Sequence, residues 1–401
     1  MRNIILFDDD SWNTLLPISY TRPVADIRVG ILRISEKWEH ALQGKSSFIT
    51  QDYLSEKFPV HVESDNYVVN GALLPNDRIV KLISNLESNH AIIFNDILIA
   101  ARIDNKQIAS LEDESGLDEL SGMDISDDPS LVTLITRPYD IFTHCGAEIQ
   151  RDIQIMTVGR RSDEIDESNN VIAAQNIFVD SGVEMKYCTL NASQGPIYLG
   201  KNSEVMEGSI IRGPFALGEH SIVKMGAKIY GNTSIGPYSK VGGELSNVSI
   251  QAYSSKGHEG YLGNSVLGEW CNIGADSNSS NLKNNYAEVK VYNYTTASFT
   301  PSGLQFCGLI MGDHSKCGIN TMFNTGSVVG VSANIFGSGY PRTFIPSFAW
   351  GGASGFSTFK LEKQYDVAEK VMARRKQSLT ELDKKILGHI FHSSAKYRTW
   401  E

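Results

Sequence analysis

His258 stands in the stretch Lys256-Gly257-His258-Glu259-Gly260-Tyr261-Leu262-Gly263, which continues to Asn272-Ile273-Gly274-Ala275. An imidazole titrates near neutral pH and can take a proton from an attacking nucleophile. In a glycine-rich loop it can equally be a solvent-facing turn residue. A second group sits near the N-terminus, where Asp8, Asp9 and Asp10 follow the apolar run Ile4-Ile5-Leu6-Phe7. Three adjacent carboxylates repel one another, so a cation such as Mg²⁺ is their natural counterpart. The end of a first strand is also where open α/β sheets place ligands. Helix capping or solvation is the alternative. Arg22 and Arg28, downstream, could carry phosphate charge. His314 is preceded by Asp313, which could orient it, and His220 falls among regular repeats as a surface residue.

The elements that position these groups are legible from a period. Leu199, Val205, Ile211, Leu217, Val223, Ile229, Ile235 and Val241 recur at every sixth position. Neither a helix nor a simple strand has that period, but a hexapeptide repeat does, and it builds a parallel β-helix. Tyr261, Leu267 and Ile273 fall in one later frame, and Met311, Cys317, Phe323, Val329 and Ile335 in another. Residues 242–260 and 275–308 break the period and read as excursions, the usual location of binding and catalytic groups. Tyr261, being in frame, has a core reading beside the functional one. Asn272 likewise has the reading of an interior ladder asparagine.

Around the solenoid, residues 1–157 read as an α/β domain. Strands are expected at Ile4–Phe7, Tyr67–Val69, Ala91–Phe94 and Leu131–Ile135, and helices over 28–42 and 77–87. The acidic stretch 112–128 reads as a solvated loop. A polar linker, 158–170, leads to the repeat domain, 171–350. Residues 351–401 form a helical extension, with Ser378 and Glu381 fitting a capping box.

The His258–Tyr261–Leu262–Gly263 motif and the later Asn272-Ile273-Gly274-Ala275 resemble a known enzyme family. It is the bacterial bifunctional UDP-N-acetylglucosamine pyrophosphorylase/glucosamine-1-phosphate N-acetyltransferases, which carry His-x-x-Tyr-Leu-Gly on a left-handed β-helix. The resemblance covers about residues 195–350. It implies that His258 is the base for N-acetyl transfer, that Tyr261, Asn272 and Asn281 contact the sugar phosphate, and that Glu244 accepts from its hydroxyls. It implies acetyl-CoA as donor, bound between solenoids. Asn320, Thr321, Asn324, Thr325 and Gly326 would then meet the pantetheine arm, and Arg342 or Lys360 the nucleotide phosphates. A homotrimer follows from a donor site shared by neighbours. Two departures stand out. The family's pocket lysine falls at Ser246 and a later tyrosine at Leu282, so phosphate charge would come from Lys228, Lys256 or Lys283.

The resembled family opens with a sugar-nucleotidyltransferase domain, whose glycine-rich loop cradles nucleotide phosphates. Here the corresponding Ile4–Trp12 stretch has no glycine. Asn70-Gly71 end a strand like the one that carries the family's metal aspartate, but Ala72 stands at that place. Asn70 and Gly71, with Arg22 and Arg28, are the nucleotide-binding candidates. Asp8, Asp9 and Asp10 are the Mg²⁺ candidates.

Bulk properties narrow the classes. The 401 residues exceed one ordinary domain, and a formal net charge of −10 disfavours nucleic acid as partner. The five cysteines show neither zinc nor disulfide spacing. No signal pattern or membrane-length apolar run is visible, so a cytoplasmic protein without a membrane partner is expected. The leading expectation is acetyl transfer to glucosamine-1-phosphate, with uridylyl transfer from UTP to N-acetylglucosamine-1-phosphate in the first domain. The others are an acyltransferase acting on another amine with a noncatalytic first domain, and a noncatalytic trimeric scaffold.

Overall fold

The computed structural model describes residues 1–111 and 120–400. Glu112, Asp113, Glu114, Asp118 and Glu119 of the expected acidic loop lie outside the described residues. Two compact units emerge. The first comprises Met1–Leu15, Arg22–Ile27 and Leu32–Arg137, and the second Leu16–Thr21, Arg28–Ile31 and Pro138–Glu401.

The first unit is an α/β fold around a six-stranded sheet: β1 (Arg2–Phe7), β2 (Gly44–Ile49), β3 (Asn66–Asn70), β4 (His90–Phe94), β5 (Ile97–Ile103) and β6 (Ser121–Asp124), in the order β2-β1-β3-β5-β4-β6. Strands β2, β1 and β3 run parallel, so their C-terminal ends share one edge. Ile4, Ile5 and Leu6 of β1 are all buried, as a central strand covered on both faces requires. Two expectations fail locally. Leu131–Ile135 is not a strand. Asp128 accepts from the Ser130 amide and starts a short 3-10 turn over Pro129–Leu131, leaving a single bridge from Leu134 to Leu73. The helix expected over 28–42 begins only at Ile34, where the Glu36 carboxylate accepts from the Arg33 amide.

The second unit is built on a parallel β-helix. Ile211 pairs with Ile229 and Val223 with Val241, 18 residues apart, so three hexads make one coil. All eight period-six residues from Leu199 to Val241 are at most 2% exposed. Three columns of paired strands form three faces. The first holds Ile210–Arg212, Lys228–Ile229, the starts of Glu244–Ala252 and Tyr261–Glu269, Asn278–Ser279 and Met322–Phe323. The second holds Phe215–Leu217, Thr233–Ile235, the ends of those two long strands, and Ile310–Met311. The third holds Ile222–Val223, Lys240–Val241, Ser255–Lys256, Asn272–Ile273 and Lys316–Cys317.

The period breaks mean something other than expected for 242–260. That segment stays in the coil: Ile235 pairs with Ile250, and Val241 with Lys256, 15 residues on rather than 18. The coil is shortened, not left. The register then lengthens to 17 residues, pairing Leu245 with Leu262. Leu262, 2% exposed, therefore takes the interior position, and Tyr261 faces outward beside Glu244. The second break is a true excursion. Ser279 pairs with Phe323, 44 residues on, and the extra chain includes the hairpin Lys290–Asn293/Ser298–Pro301.

Residues 140–157, the end of the expected first domain, form the helix Asp140–Thr157, which groups with the second unit. Cys145, Ile149, Ile153 and Met156 lie on one stripe of it and pack against Phe178, Tyr198 and Ala216, which face out from the coil. Beyond the solenoid come the helices Leu361–Ala373 and Glu381–Ser393. The second is capped by Thr380 and Asp383, two residues later than expected. Among the described residues no helix is long and apolar enough to cross a membrane.

Candidate functional site

On the first face, Lys228, Glu244, Tyr261 and Asn278 stand side by side through the ladder register. The Tyr261 amide donates to Asn278 Oδ1 at 2.8 Å. Asn281 Nδ2 donates to Tyr261 Oη at 2.9 Å and to Asn264 Oδ1 at 2.8 Å. The ring lies over Gly263, where a Cβ would come within 2.2 Å of Oη. Burial raises the Tyr261 pKa, donation from Asn281 opposes this, and Glu244 adds to the rise. The phenol stays protonated, and since Oη accepts from Asn281 its own hydrogen is left to donate. His258 is exposed on the corner 257–260 that leads into Tyr261. Glu259 pairs with Lys228 at 3.6 Å on the surface.

The structure thus gathers Glu244, Tyr261 and Asn281 with His258 at the adjoining corner. Asn272 is elsewhere. It projects, exposed, from the third face between Ser255 and Lys316. Of the three lysines named for phosphate charge, Lys228 and Lys283 are at the surface, whereas Lys256 is 1% exposed. Asn264, which the sequence reading did not single out, joins through Asn281. Its signal was its place three residues after Tyr261, at a corner where it takes φ 46°.

His220 and His314 belong to a ladder of rings on a different corner, which carries His220, Tyr238, Tyr253, Trp270 and His314 in successive coils. All five take φ between 54° and 61°. Tyr253 and Trp270 stack with centroids 4.2 Å apart. His314 is buried, and Asp313 accepts from the Glu269 amide and the Thr21 hydroxyl.

Of the residues expected to meet coenzyme A, Asn324 and Thr325 are half-buried after the strand Met322–Phe323. The Asn324 carbonyl accepts from Ser327. Arg342 is exposed and lines a pocket of about 680 Å³ with Tyr292, Phe344, Tyr397 and Trp400.

In the first unit, the C-terminal edge of β1, β2 and β3 brings Asp8, Asp9, Thr50 and Asn70 together. Asp8 accepts from the Val24 amide at 2.8 Å and from Thr50 Oγ1 at 2.6 Å. Asp9 accepts from the Ser11 amide and from Asn70 Nδ2, each at 2.8 Å. Asn70 Oδ1 accepts from the Ala72 amide, and the Gly71 amide donates to Phe7 O. The carboxylates therefore have structural uses that the sequence did not reveal: they tie the loops leaving three parallel strands. Burial pushes the Asp8 pKa up to about 7, against the Thr50 and Val24 donors and with some help from Asp9. Asp10 is exposed at the start of a one-turn helix. A resident Mg²⁺ fits this set poorly, because a carboxyl that holds its proton toward neutrality is a weak ligand. Among the described residues no three His, Cys, Asp or Glu side chains group to hold a metal.

Arg22 is buried in the first unit. Arg28 lies in the second, clasped to the solenoid. Its amide donates to Gln251 Oε1 at 2.7 Å, Gln251 Nε2 returns a bond to Arg28 O at 2.9 Å, and the guanidinium reaches Gln251 O and Ile31 O. It anchors a chain segment rather than lining a phosphate site.

Residues 4–161 match the family described as sugar nucleotidyl transferase, less than half of the chain. Among solved structures the chain is similar to the UDP-N-acetylglucosamine acyltransferase of Arabidopsis. Identity is 17% over 53% of this chain and 80% of that one, with a TM-score of 0.23. The corresponding enzyme of Campylobacter jejuni is 13% identical over 56% of this chain and 95% of that one, with a TM-score of 0.18. No curated protein matches the sequence.

Proposed function

We propose that the second unit transfers an acetyl group from acetyl-CoA to the amine of glucosamine-1-phosphate, as a homotrimer. The observation that carries this is the exposed His258 corner leading straight into Tyr261, which is hydrogen-bonded to Asn281 and flanked by Glu244. The amine nitrogen attacks the thioester carbonyl carbon and loses a proton to the His258 imidazole. The carbon–sulfur bond then breaks, and coenzyme A leaves as the thiol, taking that proton. Tyr261 donates to a sugar or phosphate oxygen, and Glu244 accepts from a hydroxyl. Lys228, beside Glu244 in the ladder, and Lys283 supply positive charge at the surface. Asn272, on another face, reaches this site only in an arrangement that brings two copies together.

The family match of residues 4–161 supports sugar-nucleotide chemistry in the first unit, namely uridylyl transfer from UTP to N-acetylglucosamine-1-phosphate. A second reading has a specific observation in its favour. Both oxygens of Asp8 and of Asp9 already accept from protein donors, and Ala72 replaces the resembled family's metal aspartate. On that reading the first unit binds a sugar nucleotide without transferring anything, and the second acylates another amino sugar.

The test is coenzyme A release from acetyl-CoA with glucosamine-1-phosphate, run beside pyrophosphate release from UTP with N-acetylglucosamine-1-phosphate. His258→Ala removes an exposed side chain, so the fold should persist. The first rate should fall by roughly 10²–10⁴, the usual worth of a general base. Undiminished turnover by a folded variant sinks the assignment. A first unit that binds the sugar nucleotide but releases no pyrophosphate selects the second reading.

A further inference from the structure

The interior column of the third face reads Val205, Val223, Val241, Lys256, Ile273 and Cys317. Five of these are apolar or a thiol, and one is a lysine that is 1% exposed. Burying an ammonium is costly unless its hydrogens find acceptors. Lys256 Nζ donates to the carbonyls of His258 and Glu259. The acceptors are thus main-chain atoms of the corner that presents the imidazole. Burial pushes the ammonium down to about 8, and Glu259 on that corner, the Cys317 thiol two coils on in the same column and Asp276 on the next corner oppose the shift.

The coil below explains why carbonyls turn inward here. Most corners on this edge, such as 224–227, hold four residues between the third and first faces. The corner under His258 holds only Gly242-Gly243. A four-residue corner stacked on a two-residue one lacks support and settles over the glycines. A Cβ on Gly243, whose φ is +72°, would lie 2.8 Å from both His258 O and Gly260 O. The Glu259 carbonyl still accepts from the Asp276 amide of the next coil at 3.0 Å, with Lys256 as a second donor, while the His258 carbonyl takes its donor from Lys256 inside the coil.

We propose that Lys256 is a positioning residue. From within the coil it bonds the carbonyls of the His258–Glu259 corner and so fixes the imidazole beside Tyr261. This rests on the reading of His258 as the base. The experiment combines hydrogen exchange of a peptide spanning 257–262 with steady-state acetyl transfer, on wild type, Lys256→Met, Lys256→Gln and His258→Ala. Methionine fills the apolar column without a donor, and glutamine keeps a donor one atom shorter. In Lys256→Met the corner amides should exchange at least about tenfold faster while the remaining solenoid peptides stay protected. Turnover should fall roughly 10- to 100-fold, the scale of a misplaced catalytic group, with KM for the sugar within about twofold. Lys256→Gln should recover part of both. Unchanged corner exchange in Lys256→Met overturns the proposal whatever the kinetics. So does faster exchange with full turnover in that variant while His258→Ala is inactive. Retained turnover in His258→Ala is a separate failure, that of the catalytic reading, and leaves the exchange result to decide the seating of the corner.

Discussion

Asp8 gives the most direct test of the first unit. Its carboxyl sits where three parallel strands end, and burial raises its pKa from 3.8 to about 7. In the window between those values the folded unit keeps a proton that the unfolded chain has released. Stability then falls as pH rises, by at most about 1.4 kcal/mol per pH unit for one proton. The contribution is fully present below about pH 4, declines progressively, and is gone above about pH 7. Asp8→Asn removes the titration. The new amide can donate to Thr50 Oγ1, and its oxygen can accept from the Val24 amide, so the geometry survives. The measurement is hydrogen exchange of β1 and β3 peptides from mildly acidic to neutral pH, corrected for intrinsic rates. Wild type should lose protection toward neutrality, and Asp8→Asn should stay flat and be the more protected of the two at neutral pH. Millimolar Mg²⁺ should leave both profiles in place. A flat wild-type profile, or a slope that survives the substitution, refutes the burial argument. A Mg²⁺-induced displacement of the wild-type slope to lower pH would show that the edge binds the metal after all.

Two further outcomes follow from the solenoid. Gly260 has φ +115°, and a Cβ there would be 2.1 Å from Ser277 O, whereas Gly226 has φ +68° with nothing within 4 Å. Gly226→Ala should cost only the roughly 1–2 kcal/mol of a left-handed alanine, while Gly260→Ala should lower Tm much further, since a carbonyl must also move. Equal Tm values for the two variants would contradict this. The outward residues Ile172, Ile210 and Tyr230 are 51%, 49% and 47% exposed on the first face. Their apolar surface favours association, so light scattering should give three times the chain mass. A monomer at micromolar concentration rules out the trimer.

What could be read from sequence depended on whether one residue type repeats or several must meet. The coil was legible because an aliphatic side chain at every sixth position is demanded by the prism interior, and all eight such residues are buried. Register was not legible where the period slipped. Removing residues from a corner leaves the interior intact but moves the frame, so Tyr261 looked like core when Leu262 fills that place. The same slip hid Lys256, because a lysine is read as solvated unless its acceptors are known. The helix Asp140–Thr157 was not among the expected elements, and its partner was hidden as well, since Phe178 and Tyr198 face outward on strands whose period marks only the interior.

The carboxylate run shows the limit most clearly. Repulsion among Asp8, Asp9 and Asp10 suggested a cation, an argument that assumes all three are charged and close. In the fold Asp8 is half-buried and binds amide and hydroxyl donors, Asp9 ties Ser11 to Asn70, and Asp10 faces solvent. Adjacent positions in sequence became three different environments, and burial, which pushes Asp8 up to about 7, lessens below neutrality the repulsion that the cation was meant to answer. The His258 site differs because its logic is local. The corner 257–260 and the strand start at Tyr261 are continuous in sequence, so the spacing of the histidine and tyrosine survives folding. Asn272, one face further round, does not join them within one chain. On the proposed reading, in which Asn272 also contacts the sugar phosphate, a second solenoid would have to bring it to the His258 corner, so the proposed acetyl transfer and the proposed oligomer stand or fall together.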